Sequence, residues 1–274
     1  MINLNEKEKK NALNEVRLIA SIRHPNIIEY KESFIEDKSQ TLCLVMEYAD
    51  GGDLAHKISK MAKEGSNFSP DEATKIISQM VLGLKALHDN KICHRDLKCA
   101  NIFLTKQGQV KLGDFNVSKV LQRGMLHTQT GTPYYASPEV WQDKPYDYKS
   151  DIWSLGCIIY EIIAKSPPFK ATSMKELFKK VTGAKYPPLK GKPFINFPNE
   201  LVMLIRLILN PNPRLRPSCS TLLNQDIIKD CIDKCSLNYE STASSDLRSD
   251  DAIPEKKKPL LNTIYLTPKL NMLN

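Results

Sequence analysis

The sequence predicts an α+β fold, with a small strand-bearing portion at the start and a larger, mainly helical body behind it. Three observations carry that expectation. Two runs rich in β-branched and aromatic residues, "IIEYKESFIED" (27–37) and "TLCLVMEYA" (41–49), read as strands separated by a polar turn at Asp37–Gln40. Beyond "GGDL" (51–54), apolar residues recur mostly at helical spacing. Two S-x-x-E boxes, "SPDE" (69–72) and "SMKE" (173–176), stand where helices should begin.

Taken in order, residues 6–22, "EKEKKNALNEVRLIASI", place Ala12, Val16, Ile19 and Ala20 on one helical face with charges opposite. "HPNII" should end that helix, because the residue before a proline is pushed out of the helical region. After the two strands, "GGDL" opens a helix. The next begins at Ser69 with proline at its first position, and Ile76, Ile77, Met80, Val81, Leu84 and Leu87 form its apolar face up to His88. "IFLTKQGQVKLGDF" (102–115) reads as a short hairpin turned at Gln107-Gly108. "IWSLGCIIYEIIA" (152–164) is too short to span a bilayer and contains a glutamate, so it is expected to be a buried helix. "NELVMLIRLIL" (199–209) makes a further helix, stopped by "NPNP". After residue 228 the composition turns polar, and "SLNYESTASSDLRSDDAIPEKKKP" (236–259) has no periodicity, so 229–274 is expected to be a disordered tail. Its end, "LLNTIYLTPKLNML", carries spaced aliphatics that would suit a short docking motif or an unstructured end.

The bulk numbers exclude several classes. Hydrophobic content of 41% and charged content of 26% over 274 residues are those of a soluble globular chain. The start is charged and lacks an apolar core, so it is no signal peptide, and no membrane partner is expected. Seven scattered cysteines suit a reducing cytoplasm. Cys231 and Cys235 have no companion Cys/His pair to complete a zinc site. The net charge of +8 could attract an anion, but the lysines read as spread along the chain without a basic helix, so nucleic acid is not the expected ligand.

One stretch carries chemistry. "HRDLKCAN" (94–101) sets a carboxylate, a cation and an amide within eight residues. Phosphoryl transfer from a nucleotide needs those groups: a carboxylate for the hydroxyl proton, cations where charge develops, and oxygen ligands for magnesium. Asp96 would take the proton, Lys98 would hold the transferred phosphate, and Asn101 with Asp114 of "GDFN" would ligate Mg2+.

Here the chain resembles the eukaryotic protein kinases, and the resemblance runs in order over residues 15–217. It implies a protein-kinase-like two-lobed fold, with a small lobe (1–48), a large helical lobe (49–228) and ATP with Mg2+ as cofactors. "VMEYADGGDL" (45–54) is similar to the hinge: Met46 would be the gatekeeper, Glu47 and Ala49 would offer backbone groups to adenine, and Asp53 would reach the ribose. Phe103 would lie beneath the adenine. "GTPYYASPE" (131–139) resembles the end of an activation segment, in which Thr132 would bridge Asp96 and Lys98. Thr128 would be an activating phosphorylation site, filled by an upstream kinase or by autophosphorylation, with Arg95 as its partner. Asp151 in "SDIWSLG" would hold the catalytic loop's backbone, and Glu139 would pair with Arg216. His94 and Phe115 would be packing residues stacked with Ile19 and Tyr30. Lysine two residues after Asp96 is the serine/threonine pattern, implying protein Ser/Thr hydroxyls as substrates, and "TGTPYYASPEVW" and "KSDIWSLGCIIYE" look most like the NIMA-related group.

Two departures follow. Asn116 stands where the family usually has glycine, and asparagine is the residue that best tolerates positive φ in its place. The family's first strands, its glycine-rich loop and the strand lysine that would pair with Glu15 have no counterpart before Glu15, so the small lobe is expected to be truncated to one helix and two strands. That leaves three readings open: an incomplete record of an active kinase, a pseudokinase acting as a binding scaffold, or a chain catalytic by compensation.

Overall fold

A computed structural model describes residues 22–36, 41–114, 133–191 and 196–237. The helix expected over 6–22 lies outside them except for Ile22, and Glu15, Ile19, Phe115, Asn116, Thr128 and Thr132 lie outside them too.

The first element is an antiparallel ribbon of β1 (Tyr30–Glu36) and β2 (Thr41–Met46), with an irregularity between Tyr30 and Glu32. Both strands are shorter than their apolar runs. Ile27 and Ile28 leave the ribbon because their backbone pairs elsewhere: Ile28 N–H donates to Leu112 O at 2.8 Å and Leu112 N–H to Asn26 O at 2.9 Å. Asn26 is buried, and its side chain donates to Gln79 Oε1 and Val110 O, which pins this segment to the helical body.

The body begins with α1 (Leu54–Glu64), capped by Asp53, whose carboxylate accepts from His56 N–H at 2.8 Å. α2 (Pro70–Asp89) starts as the sequence predicts, with Ser69 Oγ accepting from Glu72 N–H and Pro70 in the first turn. The reciprocal half of the capping box is not made; Glu72 sends its carboxylate to Lys57, 2.5 Å away. The expected apolar face of α2 is buried throughout. The hairpin follows as two three-residue strands, β3 (Ile102–Leu104) and β4 (Val110–Leu112), with Gly108 at φ 79° in the turn.

Next come α3 (Pro138–Trp141) and α4 (Tyr148–Ala164). α4 is buried almost all round, as a helix apolar on every face must be. A Cβ on its Gly156 would lie 2.4 Å from Ile208 Cγ2, so glycine is what lets the next long helix approach. That partner is α6 (Asn199–Ile208), which follows α5 (Met174–Thr182). In α5, one half of the "SMKE" signal is made, Ser173 Oγ accepting from Glu176 N–H, while the Glu176 carboxylate accepts from the N–H and hydroxyl of Thr172, one residue before the cap. α7 (Cys219–Leu223) and α8 (Asp226–Cys235) complete the body.

α8 corrects the expectation of a tail from residue 229. The helix runs on to Cys235 and packs against α2, burying Ile228 with Ile232 and Leu237 partly covered. No helix among the described residues is long and apolar enough to cross a membrane.

Candidate active site

The loop after α2 is hung on one carboxylate. Asp151, fully buried on α4, accepts from His94 N–H at 2.9 Å and Arg95 N–H at 3.0 Å, while His88 Nε2 at 2.9 Å and the Tyr146 hydroxyl complete its partners. Burial alone would raise its carboxyl, but the His88 hydrogen bond and charge, with His94 and Tyr146, hold it below the usual carboxylate range. Arg95 stands at φ 67°, a left-handed conformation that costs a non-glycine residue about 1–2 kcal/mol. Its two-residue clamp on Asp151 maintains that turn. Neither His88 nor Tyr146 was anticipated from sequence, because both reach Asp151 only through the tertiary fold.

The turn aims the next residues inward. Lys98 Nζ lies 2.9 Å from Asp96 Oδ2, and Asn101 Nδ2 donates to both Asp96 O (2.8 Å) and Asp96 Oδ2 (3.1 Å). A short 3₁₀ turn, Cys99–Asn101, makes the second contact possible by folding Asn101 back over Asp96. Gly113 N–H donates to Asn101 O at 3.1 Å, which brings Asp114 beside the same group. Asp114 is exposed and itself takes a left-handed conformation, at φ 54°. The buried His94 feels this cluster: burial lowers its pKa even though the Asp151, Asp96 and Asp114 charges all favour protonation.

A second face of the site lies where β2 leaves the ribbon. Glu47 N–H donates to Glu29 O at 2.8 Å, so only its carbonyl, with the Ala49 N–H, lacks a partner among the described residues. Met46, the expected gatekeeper, is 45% exposed. The following turn is stitched to β3 by Gly51 N–H to Leu104 O and Leu104 N–H to Gly52 O, both 2.8 Å. Asp53 bridges to Phe103 and spends one carboxylate oxygen on the α1 cap, which leaves the other for a ligand. Phe103 covers Gly113: a Cβ there would meet its ring and Ile28 at 2.8 Å. The two halves of the site thus meet at Gly113-Asp114.

Glu139 and Arg216 form a bidentate pair at 2.6 and 2.7 Å, with both side chains buried and the guanidinium over Trp153. Burial would raise the Glu139 carboxyl, but the Arg216 hydrogen bonds and charge bring it below its ordinary value. Sequence reasoning missed a neighbouring link. The Tyr135 hydroxyl donates to Glu161 Oε2 at 2.5 Å, and Ser154 Oγ donates to Tyr135 O at 2.9 Å, fixing the approach to α3 on α4. The signal was the lone glutamate in an apolar helix; burial raises its pKa.

The thiols nearest the loop are disfavoured as thiolates. Burial pushes the Cys93 thiol up to about 12 and raises Cys99 as well. Cys219, His88 and Asp151 stand in a row with Sγ 3.6 Å from Nδ1, but Cys219 is buried and burial raises its thiol too, which disfavours a thiolate there.

The motif order and this geometry agree with what relatives show. The protein kinase domain matches residues 2–228. The chain belongs to the protein kinase family. It is 42% identical over 233 residues to the serine/threonine-protein kinase Nek1 of Mus musculus, covering 84% of this chain and 19% of that protein. It is 42% identical to Nek5 of Homo sapiens over 83% of this chain and 32% of the relative. With Nek2 of Homo sapiens it shares 39% over 84% of this chain and 52% of the relative. The chain therefore spans between about a fifth and a half of the length of these relatives. The resemblance to the NIMA-related group holds.

Proposed function

We propose that this kinase transfers the γ-phosphate of ATP to serine and threonine hydroxyls of proteins. Protein kinases as a family use ATP and a divalent metal. The observation that carries the reading is the Asp96 carboxylate, held between Lys98 and Asn101 on a loop clamped by Asp151. A substrate hydroxyl approaching Asp96 would give up its proton there, and Lys98 is close enough to share its charge with a transferred phosphate.

The donor set fits magnesium. Asn101 spends its amide nitrogen on Asp96, which leaves its oxygen, and exposed Asp114 adds a second hard oxygen ligand. Among the described residues no cluster of three or more His, Cys, Asp or Glu could hold a metal alone, so phosphate oxygens would have to complete the shell. When bound, magnesium-ATP supplies the phosphoryl group and neutralises its charge. The Glu47 carbonyl and Ala49 amide would meet adenine, the free Asp53 oxygen the ribose, and Phe103 the underside of the base. The kinase domain would extend over 1–228, Thr128 and Arg95 would order the activation segment, and the setting would be cytoplasmic.

Asp96→Asn in the full-length protein is expected to abolish transfer with the melting temperature unchanged; near-parental activity would overturn the role of Asp96. A binding module without catalysis is favoured by one observation: Phe34, Leu44, Val45, Met46 and Tyr48 are all exposed on and after the ribbon. Absence of both a magnesium-ATP thermal shift and transfer by the full-length protein would select that second reading.

A further inference from the structure

The lysines are less evenly spread than their number suggests. Residues 165–192 hold eight lysines and no arginine against one acid, Glu176, a net +7 within a chain of +8. All other residues together balance to +1.

Five of these lysines lie on or beside one helix and face solvent: Lys170, Lys175, Lys179, Lys185 and Lys190, on α5 and the segments flanking it. Only Lys180 pairs with Glu176, at 2.7 Å; Lys175, Lys179, Lys185 and Lys190 have no ion pair among the described residues. Lys175 and Lys179 are four residues apart on α5, an arrangement that repels by a few tenths of a kcal/mol, about the size of the gain from an opposite pair. Alongside them Met174 (53% exposed) and Phe178 (38% exposed) form a second stripe, also four apart. Phe178 meets the edge of Trp141 on α3 at 6.1 Å, so the surface adjoins the helix that begins at the end of "GTPYYASPE".

We propose that this surface docks an acidic segment of a partner protein in which Asp or Glu residues flank an aliphatic or aromatic side chain. The two stripes set the chemistry. Carboxylates would meet the lysines while an apolar side chain covers Met174 and Phe178, burying them from water. A nucleic acid fits less well, because phosphate recognition favours arginine forks, which the segment lacks, and leaves the apolar stripe uncovered. A membrane surface would need a wider apolar face than two side chains. The surface is separate from the Asp96 site, so it stands or falls independently of phosphate transfer.

The test uses the full-length protein and a fluorescent peptide of repeated Glu-Glu-Leu, read by anisotropy at two salt concentrations. Binding should weaken with salt, and Lys170, Lys175, Lys179 and Lys185 all changed to glutamine should weaken it by about tenfold or more. Met174→Ser should weaken it by about threefold without altering the salt dependence. Changing Lys31, Lys60, Lys106 and Lys229 to glutamine should leave affinity within about twofold, since non-specific attraction is the only contribution they share. Melting temperatures of all variants confirm folding. The proposal is overturned if the first quadruple variant binds the peptide as the parent does, or if the control variant weakens binding equally. Tighter capture of a 20-base-pair duplex or of phosphatidylserine vesicles than of the peptide would overturn it as well.

Discussion

Lys111 and Glu47 stand 2.7 Å apart and tie the hairpin that carries Asp114 to the exit of β2. Lys111 is buried, and the same Glu47 carboxylate accepts from Glu29 N–H at 3.1 Å. One pair therefore braces the two halves of the candidate site against each other. Lys111→Met should cost about 1–3 kcal/mol in urea unfolding, because Glu47 loses its main partner while keeping some water. Lys111→Arg should recover much of it. The same change should move His24, whose imidazole is pushed down to about 4 by burial first and the Lys111 charge second. Its NMR titration midpoint should rise in Lys111→Met.

That histidine also sets a pH dependence. His24 Nδ1 accepts from Asn26 N–H at 3.0 Å, which requires the unprotonated ring. His24 drops from 6.5 to about 4 on folding, and buried His94 is lowered too. Between those values the unfolded chain binds protons that the folded chain refuses, so stability falls as pH drops from 6.5 towards 4. His24 alone contributes up to about 1.4 kcal/mol per pH unit. His24→Asn keeps an acceptor for Asn26 and should flatten urea midpoints measured across that window.

Arg216→Met should cost about 3–5 kcal/mol, since it strands the buried Glu139 carboxylate. Adding Glu139→Gln should restore part of the loss, and the coupling from the double-mutant cycle should be large. Additive losses would mean that the two side chains act independently.

Gly156→Ala should destabilise by about 1–3 kcal/mol through overpacking, since the added methyl meets Ile208 Cγ2 at 2.4 Å. Ile208→Val in the same chain should relieve part of that strain, measured by urea unfolding of the single and double variants.

The candidate site was legible where its residues are neighbours in sequence. Asp96, Lys98 and Asn101 sit in one octapeptide, and their bonds to one another are short-range. Asp151, Glu139 and Arg216 were reached through the family resemblance; in the structure Asp151 accepts from the His94 and Arg95 amides, and Arg216 pairs with Glu139. What stayed hidden were partners joined only by folding: Lys111 with Glu47, His88 with Asp151, and Tyr135 with Glu161. Strand ends were overcalled because Ile27 and Ile28 are as apolar as strand residues but pair with Leu112. The last helix was missed because its composition is polar, and its order comes from docking on α2.

That docking moves the effective edge of the folded unit. The homology to the protein kinase domain ends at residue 228, three residues into α8. A polypeptide stopped there would keep Ile228 but shed the remaining two turns, baring the flank of α2 that they cover. His88, in the last turn of α2, touches Asp151, so a cut made at the border of the kinase-domain match would be felt at the loop that bears Asp96. A stop after Leu237 spares that chain of contacts. The end of the kinase-domain match and the end of the packed helix are therefore offset, and recombinant versions should be trimmed to the second.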